Sequence, residues 1–266
     1  MESERVDISA PSFHLNPSLV RAVFKGAGFV DTFKLSSEEL RELKNIIQEH
    51  YLRRIEEEYP HLVQEFAQKG IEDYHLLSHL VDHNHLWPKQ ARLFNKVAAK
   101  KFRNFKFFHA LENYLGKFEV IDYEGLGNEE FNWRLVRPNS PTDIGPMHKD
   151  SWFWNAINKE SENNKERIKI WIPVVCEPGL SGLRVVPNTQ FVDYPFRVVN
   201  NKPQIEVKDE ELSIKLLETN PGDAVIFNYE LLHGGSVSRG TKTRVSLELS
   251  LYVDKNLVQS LLENAQ

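Results

Sequence analysis

The segment Arg244-Val245-Ser246-Leu247-Glu248-Leu249-Ser250-Leu251 constrains the fold of this chain more than any other. In extended backbone Val245, Leu247, Leu249 and Leu251 point one way, and Arg244, Ser246, Glu248 and Ser250 the other. A period of two over such a length reads as a strand with one greasy face, which has to be covered. The opposite face carries a guanidinium and a hydroxyl two residues apart. Polar-out alternation is commonly just solvated surface, so the surroundings of the strand decide whether this face does more.

Further short strands are expected at 118–122, 131–137, 167–174, 182–186, 213–217, 224–228 and 242–253. Pro178-Gly179, Gly222-Asp223 and Gly234-Gly235 punctuate them. Residues before about 116 read as helices instead. Ser36 with Glu39 three residues on forms a capping box. Leu40, Leu43, Ile47 and Tyr51 then recur on one face. The stretches 66–79 and 89–114 are also expected to be helical, with Pro88 between them. Helices first and strands afterwards is an α+β order in which helices buttress a sheet. Many short strands with such turns point to a sandwich, jelly roll or barrel. The 266 residues are read as a single domain, with a mainly helical buttress over 1–115 and a jelly-roll core over 116–255.

Composition removes several classes. Lys and Arg number 33 against 38 Asp and Glu, a net charge of −5, so a broad basic face for nucleic acid is not expected. The one cysteine, Cys176, cannot form an internal disulfide, which argues against stapled and Cys-rich zinc folds. No stretch approaches the roughly 20 apolar residues of a spanning helix. Met1-Glu2-Ser3-Glu4-Arg5 lacks the apolar run of a secretory signal. A cytoplasmic protein with no membrane partner is the expectation, and the polar run 158–166 reads as a solvated loop.

His148-Lys149-Asp150 sets an imidazole and a carboxylate two residues apart, on one side of an extended segment. His233 follows far downstream, after the strand at 224–228. Two histidines and one carboxylate on one face of a metal leave the opposite positions open. That suits non-haem Fe(II), which has to take a cosubstrate and O2 together. Arg244 and Ser246 are matched to an incoming carboxylate, a bidentate fork beside a hydroxyl. Each part alone has a plain alternative: His-x-Asp is an ordinary polar turn, and a single His233 is a core or loop residue. The joint pattern carries the reading.

These motifs resemble the phytanoyl-CoA dioxygenase-like branch of the Fe(II)- and 2-oxoglutarate-dependent oxygenases. Gly28-Phe29-Val30 leading into Leu35-Ser36-Ser37-Glu38-Glu39-Leu40 is similar to the family's opening strand and first helix. Trp133 to Asp150 resembles its strand running into His-x-Asp. Ile170-Trp171-Ile172-Pro173-Val174 through Gly182-Leu183-Arg184-Val185-Val186-Pro187 resembles its central hairpin, although Asn188-Thr189-Gln190 replaces the usual Gly-Ser-His. Gly222-Asp223, His233-Gly234 and Arg244-Val245-Ser246 resemble the closing motifs. The resemblance implies a double-stranded β-helix, a cupin-like jelly roll with N-terminal helices packed on its outer sheet. It implies that His148, Asp150 and His233 bind Fe(II). Arg244 and Ser246 would hold the distal carboxylate of 2-oxoglutarate, and Trp171 and Trp133 would line that cosubstrate. The activity implied is a dioxygenase that hydroxylates an unactivated C–H bond of a small molecule and releases succinate and CO2.

Other signals compete. His75, His79 and His83, four apart, would stack on one helix face as an accessory metal site or simply interrupt an amphipathic helix. Trp152, Phe153 and Trp154 offer either an aromatic wall over the substrate, with Trp152 the expected contact, or core packing. Arg137, Lys149 and Arg184 favour an anionic substrate if they line the mouth, with Arg137 the expected contact; otherwise they balance surface acids. Two rival functions remain open at this level. One is a non-catalytic jelly-roll ligand-binding module. The other is a metal-dependent cupin enzyme that does not use 2-oxoglutarate and has no need of Arg244 and Ser246.

Overall fold

A computed structural model describes residues 17–156, 164–200 and 202–263. Residues 1–5, and 158–163 of the expected loop, lie outside the described residues; Lys165 and Glu166 already belong to a strand. The chain opens with α1 (Pro17–Phe24), β1 (Phe29–Lys34) and α2 (Ser37–Glu58). Ser36 caps α2 as the sequence predicts: its hydroxyl accepts from the Glu39 amide while the Glu39 carboxylate accepts from the Ser36 amide. Leu43, Ile47 and Tyr51 line the buried face of α2.

The expected helix at 66–79 is instead α3 (Val63–Lys69) and a one-turn α4 (Tyr74–Leu77) with a 3-10 turn between. Gly70, at φ 75°, ends α3 in the left-handed region. His83 starts a separate turn, α5 (His83–Leu86). The stretch 89–114 likewise divides into α6 (Lys96–Arg103), capped by Asn95, and α7 (Lys106–Leu115).

The strands that follow are β2 (Phe118–Val120) and β3 (Asn132–Val136), then after α8 (Asp150–Ala156) come β4 (Lys165–Val175) and β5 (Leu183–Val185). A hairpin, β6 (Phe196–Val199) and β7 (Lys202–Ile205), occupies a stretch that the sequence reading left without strands. β8 (Lys215–Leu216), β9 (Asp223–Asn228), β10 (His233–Gly235), β11 (Arg244–Asp254) and α9 (Lys255–Glu263) complete the chain.

The large antiparallel sheet runs β1-β9-β4-β11-β2, with β3 also paired to β11. β11 is its central member, with β4 along one edge and β3 and β2 in succession along the other. Its alternation is as expected. Val245, Leu247, Leu249 and Leu251 join Ile168, Ile170, Ile172, Ala224 and Ile226 in the apolar layer beneath the helices. The helices contribute Leu43, Ile47, Tyr51, Phe66, Tyr74, Phe102 and Phe108 to that layer. The opposite face of the sheet looks across at the small sheet β10-β5-β8. Trp171, Val225, Phe227, Leu183, Val185 and Leu217 fill part of the space between them. The result is a jelly roll of α+β class with helices on its outer sheet. No described helix is long and apolar enough to cross a membrane.

Candidate metal centre

The small sheet and the loop before α8 build the site. His148 and His233 face each other across an isolated antiparallel bridge, each amide donating to the other's carbonyl at 2.9 Å. Directly paired residues present their side chains on one side, and the two imidazoles accordingly lie 4.5 Å apart, centroid to centroid. Nδ1 of His148 sits 2.8 Å from the Pro146 carbonyl, and Nδ1 of His233 sits 2.9 Å from that of Leu231. A carbonyl only accepts, so each Nδ1 carries the proton and each Nε2 lone pair is free. Burial, reinforced by His233, pushes the His148 pKa down to about 4, and burial also lowers that of His233. Both rings are therefore neutral, as metal ligands have to be.

Asp150 completes the set as the first residue of α8. Its Oδ1 is 3.9 Å from His148 Nε2 and its Oδ2 is 3.8 Å from His233 Nε2. The three ligating atoms fall within 4.8 Å of one another, and no other such group occurs among the described residues. The carboxylate is buried and its Oδ2 has no hydrogen-bond partner. Burial would raise its pKa, but the ammonium of Lys169 holds it below the usual carboxylate range. A buried, ionised, orphaned carboxylate facing two proton-free nitrogens fits a divalent cation.

β11 carries its polar face into the same cavity. Arg244 is buried, and its pKa is pushed down to about 10 by burial. One terminal nitrogen donates to the Gly182 carbonyl at 2.6 Å and lies 3.3 Å from that of Ser236, while Nε is buried without a partner. The other terminal nitrogen runs under β10, where a Cβ on Gly235 would lie 3.1 Å from it. A side chain at that position, two residues beyond His233, would crowd the guanidinium. Ser246 is buried on the same face, opposite Arg134 of β3 and Pro173 of β4. Trp171, opposite Glu248, also faces inward and packs with Phe227, whose ring lies 4.7 Å from that of His233.

Other expected contacts lie elsewhere. Trp133 pairs with Leu247 and so shares its face, under the helices, edge-on to Trp87 at 5.3 Å. It is a core residue on the far side of the sheet from the triad. Trp152 belongs to a helix, not to a strand with period two; it is buried and stacks on Phe196 of β6, centroids 4.5 Å apart. Phe153 lies beside the site, its ring edge-on to His148 at 5.2 Å; the Trp154 side chain lies outside the described residues. Arg137 is committed to Asp143 through a bidentate pair at 2.7 and 2.8 Å. Lys149 donates to the Val192 carbonyl and Arg184 pairs with Asp209.

The helix histidines do not converge. His75 bonds Thr243, and His83 lies 3.0 Å from the Tyr74 hydroxyl and 3.6 Å from Asp143. Asn188-Thr189-Gln190 pins a loop. The Thr189 hydroxyl donates to the Val186 carbonyl and accepts from the Leu232 amide, and Gln190 donates to the Gly26 carbonyl.

The inward cations that sequence reasoning did not single out are Arg134 and Lys169. Lys169 Nζ is 3.7 Å from Asp150 Oδ1 and 3.8 Å from Glu248 Oε2, and Arg134 Nε donates to Glu248 Oε1. The signal was available: Lys169 is two residues from Trp171, and Glu248 two from Ser246, each on a strand of period two.

A jelly roll that brings two histidines and one carboxylate together suits a non-haem iron enzyme. The chain belongs to the phytanoyl-CoA dioxygenase family, whose model matches residues 24–246. It is accordingly an enzyme of the iron- and 2-oxoglutarate-dependent type, and its triad suits that metal. Among solved structures it is similar to the apo form of the non-heme monooxygenase ThoJ, with a TM-score of 0.55 at 13% identity over 88% of this chain and 77% of that one. It is also similar to the epimerase SnoN in complex with Fe3+, alpha-ketoglutarate and nogalamycin RO, with a TM-score of 0.52 at 12% identity over 89% of this chain and 82% of that one. At these identities the likeness is one of fold. A search of curated proteins found no match.

Proposed function

We propose that this single-domain enzyme hydroxylates an unactivated C–H bond of a small molecule that bears an anionic group. 2-Oxoglutarate and O2 are consumed, and one oxygen atom goes to the new hydroxyl while the other goes to succinate as CO2 leaves. The observation that carries the reading is the conjunction of the triad with Arg244, a buried guanidinium whose Nε has no partner, on the same inner wall. Iron, when bound, supplies the oxidative chemistry that an amino-acid side chain cannot. His148, Asp150 and His233 hold it from one side. Arg244 and Ser246 take the far carboxylate of 2-oxoglutarate, and Trp171 walls the cosubstrate against β9. Arg134 and Lys169 join Arg244 among the inward cations, against Asp150 and Glu248. The metal and 2-oxoglutarate cancel in charge, so the excess of inward positive charge favours an anionic substrate. Phe153, beside His148 and partly exposed, gives the entrance an apolar side.

The test is succinate release by iron-loaded protein against matched pairs of carboxylic acids and their amides. Stimulation by acids over their amides is expected. Stimulation by amides alone would remove the anionic substrate, and failure to bind 2-oxoglutarate would remove the reading altogether.

A further inference from the structure

Three residues on adjacent strands form a charged row on the inner wall. Arg134 stands on β3, Glu248 on β11 and Lys169 on β4. Arg134 Nε donates to one oxygen of Glu248, and the other oxygen lies 3.8 Å from Lys169 Nζ. On its far side the same ammonium is 3.7 Å from Oδ1 of Asp150. Lys169 thus stands midway between a carboxylate that belongs to the metal triad and one that does not. Neither contact is short enough for a hydrogen bond, so neither fixes the ammonium in place.

We propose that Lys169 is a positioning residue that neutralises Asp150 when no metal is bound and withdraws to Glu248 when a divalent cation takes that carboxylate. The inference rests on the triad being the metal site. A buried ionised carboxylate needs a compensating charge. The ammonium beside Asp150 is that of Lys169, while both histidines turn Nδ1 away to backbone carbonyls. Its contact on Oδ1 leaves Oδ2 directed at His233 without a bond of its own. A divalent cation on Asp150 would repel an ammonium at that distance strongly. Glu248, anchored by Arg134 through one oxygen, keeps the other available to receive Lys169. The metal therefore binds against the resident ammonium, and Glu248 sets how easily the ammonium gives way.

Two substitutions at neighbouring positions should then shift metal affinity in opposite directions, which a merely structural role would not produce. Co(II) is titrated into metal-free full-length protein at pH 8 without 2-oxoglutarate, and its visible absorbance gives the Kd. Lys169→Met should tighten Co(II) binding at least tenfold, and Lys169→Arg should stay within about threefold of the wild type. Glu248→Gln should weaken binding about tenfold, because Lys169 then keeps Asp150 as its only anionic partner among the described residues. Far-UV circular dichroism checks that each variant is folded. If Lys169→Met does not fold, Glu248→Gln decides: weaker binding supports the proposal, and unchanged or tighter binding overturns it. Lys169→Met binding no more tightly than the wild type also overturns it, as do shifts of the same sign in the two variants. Wild-type protein that binds no Co(II) would instead remove the metal site on which the inference rests.

Discussion

Replacing Arg244 separates a cosubstrate site from a structural guanidinium. In the structure this side chain is buried, with one terminal nitrogen on the Gly182 and Ser236 carbonyls and Nε without a partner. Its removal costs the scaffold little hydrogen bonding, because the Gly182 carbonyl keeps the Ser236 amide at 3.0 Å and the Ser236 hydroxyl at 3.1 Å. A carboxylate docked on the remaining donors would lose two charge-assisted bonds, each worth about 1.5 kcal/mol. Arg244→Ala should therefore weaken 2-oxoglutarate binding by about 3 kcal/mol, on the order of a hundredfold. Lys at this position should recover only part, since an ammonium lacks the planar fork. Ser246→Ala should cost about 1 kcal/mol for one neutral donor. The assay is an anaerobic titration of the Fe(II) protein with 2-oxoglutarate, followed through metal-to-ligand charge-transfer absorbance, with Fe(II) affinity measured in parallel. An Arg244→Ala protein that binds 2-oxoglutarate as the wild type does would refute the cosubstrate role even if iron still binds.

His148→Ala, Asp150→Ala or His233→Ala should each abolish turnover and leave the circular dichroism spectrum unchanged; full activity of Asp150→Ala with Fe(II) would remove that carboxylate from the triad. Combined replacement of His75, His79 and His83 by Ala should leave iron stoichiometry at the wild-type value, measured by metal analysis. It should lower stability by about 1 kcal/mol for each bond lost to Thr243 and Tyr74, read from denaturant unfolding. His50 packs against Phe94 and its pKa is pushed down to about 4, by burial first and then by Arg53. Its unfolded form takes a proton near pH 6.5 while the folded form resists. The resulting stability is present above pH 6.5 and lost as pH falls toward 4, by about 2 kcal/mol after allowance for partial exposure. Urea midpoints between pH 7 and 4 should fall less steeply in His50→Gln, and an unchanged slope would rule the ring out as a cause.

Local signals predicted the elements that depend on them. The α2 cap at Ser36 and Glu39 needs only residues three apart, so it could be read directly. The two faces of β11 follow from a period of two, which any strand obeys. Helix lengths in the N-terminal region were less legible. Gly70 and Asn95 divide the expected helices by cap geometry that competes with a continuing apolar pattern. The short β10 is a strand only because β5 lies beside it, and β6 and β7 pair only with each other. Trp152 was misplaced because the chain turns helical at Asp150, which replaces alternation with a three-to-four residue period and brings Phe153 to His148 instead.

The sequence by itself determined the ligand types, the order of helices and strands, and the faces of the long strands, because spacing along one element is a local property. Only the tertiary structure decided which polar faces meet. Trp133 and Trp171 are both tryptophans in strands flanking β11, yet one shares a face with Leu247 and the other with Glu248. That difference is a one-residue matter of register, set by pairing with β11 and not by either tryptophan. Arg137 looked free in sequence and is held by Asp143, while Lys169 looked ordinary and stands beside Asp150. A charged side chain acquires its role from its nearest opposite charge, and in a jelly roll that charge comes from a strand or loop remote in sequence.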